Sequence, residues 1–183
     1  MAPLPEELVA TLLKGQWKTS KDEEDHRRRS IYLFVRRNLR YPLFDVFDRP
    51  DTNASCPRRE ILTTAPQALF LLNSDFSFSA ARQLAGTLLQ SLDSQPDASA
   101  EATTNRGIRQ LYERTLSREP TSRELTAAAD FLLSQSTLIR ESAADKPAAP
   151  LPPQPDRFSS ADAAAWVDLC LAIFNLNEFI YLD

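Results

Sequence analysis

Glycine is scarce in this chain, and that scarcity limits its fold more than any other feature. Only Gly15, Gly86 and Gly107 occur in 183 residues, where an average chain of this size would hold about 13. A many-stranded β fold draws on glycine for turns with positive φ, so few tight hairpins can be built here. Three widely separated glycines also exclude a Gly-rich loop that cradles a phosphate. The thirteen prolines act in the opposite direction, because each fixes φ and removes a backbone donor. Helices joined by proline-stiffened segments are the architecture these two counts favour.

Length sets the scale of the core. A chain of 183 residues suits one domain, and on folding it can bury roughly 70% of the surface its unfolded form exposes. The single histidine excludes a metal site built from several imidazoles. A formal net charge of −4 argues against nucleic-acid or anionic-membrane partners. The charge is uneven: twelve Lys/Arg face eight Asp/Glu between Lys14 and Glu60, and nine face fifteen between Ile61 and Asp183.

Cys56 and Cys170 stand far apart, with no C-x-x-C and no C-x-x-C-H. Thioredoxin-type redox chemistry and covalent haem on this chain are thereby excluded. Two buried free thiols are expected in preference to a disulfide, since Cys170 lies in an apolar helical run. No stretch is apolar enough to span a bilayer. Glu6 and Glu7 stand where a signal peptide needs a basic start. No export signal is therefore expected, so the chain is either cytoplasmic or a piece of a longer exported protein.

Periodicity then divides the chain. Leu4–Leu13 reads as a short amphipathic helix, with Pro5 and two acids in its first turn. Ser30–Val35 is an apolar run, a buried strand or the middle of a buried helix; the absence of a nearby breaker or strand partner favours helix. Tyr41–Arg59 holds Pro42, Pro50 and Pro57, yet Leu43, Phe44, Val46 and Phe47 are too apolar for a solvated loop. A long, ordered, largely irregular packed segment is expected there. Thr64–Asn73 begins a helix with Pro66 in its first turn and an apolar face of Ala68, Leu69, Leu71 and Leu72. Asp75 or Ser79 is placed to cap the next helix, through Ala80–Ser91. Residues 93–105 read as a polar, mobile connection.

The hairpin of Arg106–Leu116 and Thr121–Ser134 is the clearest pair. Arg118, Glu119 and Pro120 make its turn, and Thr121 with Glu124 forms a capping box. Residues 142–157 contain five prolines and are expected to be an exposed polyproline-like linker. Ser160–Asn177 is apolar almost all round, so it should be the central buried helix. The fold class expected is mainly α, an irregular helical bundle with a long Pro/Arg/Asp-rich ordered segment and a Pro-rich linker.

Six blocks occur in order: Arg28–Phe34, Pro42–Pro50, Arg58–Glu60, Pro66–Asn73, Arg118–Pro120 followed by Glu124 and Leu125, and Leu176–Phe179. Together they resemble the planctomycete-specific PSD family, domain of unknown function 1553. The resemblance implies that residues 4–183 are the C-terminal part of a single such domain. It further implies an exported multidomain setting, with a c-type cytochrome-like segment and a second domain upstream. It implies no catalytic residues.

Candidate sites follow from residue types. Asp45, Asp48 and Asp51 recur at spacing three near Asn53, among Arg36, Arg37, Arg40, Arg49, Arg58 and Arg59. Three readings compete there: an oxygen-ligated cation, an anion- or sugar-binding surface, and Arg–carboxylate bridges that fasten the Pro-rich segment. The spacing is not that of an EF-hand, and so many arginines favour the bridges. Gln67 and Asn73, amides near helix ends, are placed to hydrogen-bond irregular backbone such as Tyr41–Arg59. The ligand-binding set, if there is one, is Arg36, Arg40, Asp45, Asp48, Arg49, Arg58, Arg59, Gln67 and Asn73. Arg27–Arg29 with Tyr32 and Phe34 is a basic, aromatic pattern able to bind nucleic acid, but the acidic remainder opposes it. His26 and Cys56 form no oriented nucleophilic pair. No cofactor or metal is expected. The function expected is a non-catalytic accessory or interaction module of a cytochrome-associated exported protein. The alternative is a fragment of a polysaccharide-acting enzyme with its site at Asp45–Arg59.

Overall fold

The computed structural model describes residues 65–94, 99–142 and 155–181, together with residues 9, 12, 18–22, 25, 30–32, 44, 46, 47 and 152. The chain divides into two compact units, Met1–Gln67 and Ala68–Asp183. In the first, Ser20 Oγ donates to Asp25 Oδ2 at 2.6 Å, and Ser30–Tyr32 forms a 3₁₀ turn. Ile31 and Tyr32 in that turn are exposed at 84% and 72%, so these two do not belong to the buried run expected over Ser30–Val35. One 3₁₀ turn is too short to carry a buried stripe. Phe44 and Val46 have helical backbone, and both are half-buried, as is Phe47. Most of the expected helix at Leu4–Leu13 and most of the Tyr41–Arg59 segment lie outside the described residues; Val9 has helical backbone and is exposed.

Six α-helices and no strand occur among the described residues. The mainly α class expected from scarce glycine is therefore observed. Helix α1 is Ala65–Asn73 and α2 is Asp75–Ser94. The cap of α2 is Ser74, one residue before Asp75: its Oγ accepts the Ser77 amide at 3.2 Å. Asp75 instead places a negative charge in the first turn, where the helix dipole favours it. Among the described residues, the apolar face expected on α1 does not join the buried cluster. Leu69 and Leu72 are 58% and 47% exposed, and no residue of α1 belongs to the buried cluster, which begins at Ala81.

Helix α2 buries Ala81, Ala85, Leu88, Leu89 and Leu92, a stripe at helical spacing. Helix α3 is Ala100–Leu116, begun by Ser99, whose Oγ accepts the Ala102 amide. The connection expected over 93–105 is accordingly much shorter. Asp93 and Ser94 end α2, and residues 100–105 are the first turns of α3. Alanine, threonine and glutamate there propagate a helix once a serine has capped it. Ser117 ends α3 in the left-handed region, at φ 56°, with its N–H on the Glu113 carbonyl.

Helix α4 is Ser122–Ser142, longer at its C-terminal end than the periodicity indicates. The Thr121–Glu124 capping box is present: Glu124 Oε2 accepts the Thr121 amide at 2.7 Å, and Thr121 Oγ1 accepts the Glu124 amide at 3.3 Å. Helix α5 is Ser160–Phe174, and α6 is Asn177–Ile180. A second capping box, Ser159 with Asp162, starts α5.

Among the described residues, helix α5 supplies ten of the twenty buried hydrophobic ones, from Ala161 to Phe174, which makes it the centre of the second unit. Helices α2, α3 and α4 each pack on the next, and all three pack on α5. Fully buried Leu88, Leu89, Leu92, Ile108 and Leu111 each contribute roughly 1.5–3 kcal/mol by leaving water. Cys170 is a buried free thiol, and burial pushes its pKa up to about 12. Cys56 lies outside the described residues.

Where the linker expected over 142–157 is described, it is only partly exposed: Ser142, Asp156 and Arg157 are exposed and Pro155 is half-buried. Pro152 is buried, and residues 155–159 lie on the bundle. Arg157 donates to the Leu92 carbonyl at the end of α2, and its Nε pairs with Asp93 at 3.1 Å. A guanidinium at a helix C-terminus satisfies orphan carbonyls and matches the dipole. Its plane also lies 4.7 Å from the Phe158 ring centroid.

Candidate functional site

Among the described residues, charge and polarity converge at two places in the second unit. The first is built by Arg118, in the turn between α3 and α4. Its Nε donates to Glu178 Oε1 at 2.6 Å and its Nη2 to Glu178 Oε2 at 2.8 Å, a bidentate pair with α6. The same guanidinium reaches α4: Nη1 donates to Glu124 Oε2 at 3.0 Å and Nη2 to Glu124 Oε1 at 2.8 Å. It stands 5.5 Å from the Tyr112 ring centroid, within cation–π range. The planar fork of arginine suits two carboxylates in a way a lysine could not.

These contacts set the local charge. The Arg118 hydrogen bonds, aided by the Thr121 amide, hold the Glu124 carboxyl down at about 2. Arg118 also lowers Glu178, while the two carboxylates raise the pKa of Arg118 itself. Burial first, and Glu124 second, raise the Tyr112 phenol. All three charged groups stay ionised at neutral pH, so none is poised to exchange a proton. Phe179 completes the junction by stacking on Phe174 at 4.9 Å between centroids. The chemistry is that of a fastener: the turn, α4 and α6 are held by one side chain.

The second place is a groove of about 570 Å³ between the start of α3, the middle of α4 and the start of α5. Leu132, Ala165 and Trp166 form its floor, with Phe158 and Leu133 at the sides. Leu133 is 72% exposed and Trp166 only 4%. The polar groups on its wall are already engaged. Thr103 and Thr104 donate to the carbonyls four residues back, and Ser136 donates to the Leu133 carbonyl. Asp162 accepts from Ser159 at 2.6 Å and from Arg140 Nη2 at 2.7 Å. Between α4 and α5, Gln135 Nε2 donates to Asp168 at 2.8 Å, and burial raises the Asp168 carboxyl.

Of the residues singled out from the sequence, Gln67 is buried at 5% exposure. Asn73 is exposed, and its Nδ2 donates to the Leu69 carbonyl of its own helix at 2.9 Å, rather than to irregular backbone elsewhere. The amide side chain thus folds back on the last turn of its own helix, sharing the Leu69 carbonyl with the backbone ladder. Arg36, Arg40, Asp45, Asp48, Arg49, Arg58 and Arg59 lie outside the described residues, as do His26 and Cys56. Sequence reasoning missed the role of Arg118. Its block and the Leu176–Phe179 block are both visible in the sequence, but 60 residues separate the partners. No group of three or more His, Cys, Asp or Glu able to hold a metal occurs among the described residues. No described helix is long and apolar enough to cross a membrane.

A mainly α protein, whose described helices are fastened by Arg118 through Glu124 and Glu178, is the class that these features define. The chain belongs to the PSD1 family, proteins of unknown function (DUF1553), whose model matches residues 3–132. The match ends within α4, so α5, α6 and the Glu178 arm of the junction lie beyond it. No curated protein and no solved structure matches the chain.

Proposed function

We propose that this chain is a non-catalytic helical module that supports neighbouring domains of an exported, cytochrome-associated polypeptide. One observation carries the proposal: the charged groups at the two polar convergences are bonded to one another and to helix ends. Arg118 holds Glu124 and Glu178, Arg140 holds Asp162, and Arg157 holds Asp93. A catalytic acid, base or nucleophile needs a free valence toward substrate and a pKa tuned to its task. Here the strongest shifts move carboxylates away from neutrality, and the Cys170 thiol is raised by burial in the core. Such groups stabilise geometry.

The test is to express the chain alone and joined to the domains that neighbour it in its natural polypeptide, a c-type cytochrome domain among them. A rise in melting temperature on joining, with association of the separate parts in sedimentation velocity, supports the supporting role. Equal stability and independent sedimentation overturn it.

A further inference from the structure

We draw no further inference here: the strongest candidate, the groove between α3, α4 and α5, has its hydroxyl, carboxylate and guanidinium groups already bonded within the fold, and nothing in the structure shows what covers its apolar floor.

Discussion

Gly107 sits in the middle of α3 with the Trp166 ring of α5 against its backbone. A methyl group added there would stand 2.7 Å from Trp166 Cη2 and 2.9 Å from Leu92 Cδ1. Two effects oppose each other in Gly107→Ala. Alanine is the better helix former by about 1 kcal/mol. Forcing an extra methyl into a packed core costs typically about 1–3 kcal/mol. The decision rests on whether the neighbours can yield. Trp166 is 4% exposed and Leu92 is fully buried, so neither can swing outward. The steric cost should therefore exceed the propensity gain, for a net loss of up to about 2 kcal/mol. Urea unfolding followed by circular dichroism at 222 nm measures it. The same substitution in a Trp166→Leu background separates the two effects, because the Trp166 clash is then removed while the Leu92 contact and the propensity gain remain. Gly107→Ala should be clearly destabilising alone and markedly less so in that background. If it stabilises the otherwise unaltered chain, the close α3–α5 approach is wrong.

Four further outcomes follow from the same structure. Arg118→Met leaves Glu124 and Glu178 facing each other without a cation, so the melting temperature should fall; Glu178→Gln, which keeps an acceptor, should lower it less. Because Glu124 is held at about 2 when folded against an ordinary 4.5, its contribution is full above about pH 4.5 and is lost as pH falls toward 2. Acid titration of stability should therefore be shallower in that window for Glu124→Gln. Ser117→Gly, at a left-handed cap with φ 56°, should stabilise by about 0.5–1 kcal/mol in thermal unfolding, since glycine enters that region without a Cβ penalty. A chain ended at residue 132 loses α5, and with it half of the buried hydrophobic residues among those described; its circular dichroism should show little cooperative unfolding.

The parts of the fold that were legible are those fixed by local chemistry. Thr121 and Glu124 announce a helix start because two side chains three apart satisfy each other's backbone amides. Ser160–Asn177 announces a buried helix because no face of it is polar enough for water. Where local chemistry has two solutions, the tertiary structure decides. Residues 100–105 look like a polar loop until Ser99 caps them. Leu69 and Leu72 look like a core face, yet the buried cluster starts only at Ala81. The prolines before Ser159 suggest an exposed linker; Asp156 and Arg157 are exposed, yet Pro152 is buried and Arg157 donates to the Leu92 carbonyl at the end of α2. That pull depends on how α2 ends, which is information held 65 residues away.

The Arg118 junction was illegible for a sharper version of the same reason. A capping glutamate is recognisable from its spacing, and Glu124 was recognised as one. Nothing local shows that its carboxylate will also be half of an arginine's coordination. The second half comes from Glu178, in a four-residue helix that has no apolar period of its own. Such a helix is too short to persist without tertiary support. It is held by the Phe174–Phe179 stack on one side and by the guanidinium on the other. The family match stops before both α5 and this helix. Yet Leu88, Ile108 and Leu132, all within the matched residues, share one buried cluster with α5. The smallest unit that folds here should therefore run past the matched segment to residue 180, with Arg118 joining the hairpin inside the match to the glutamate outside it.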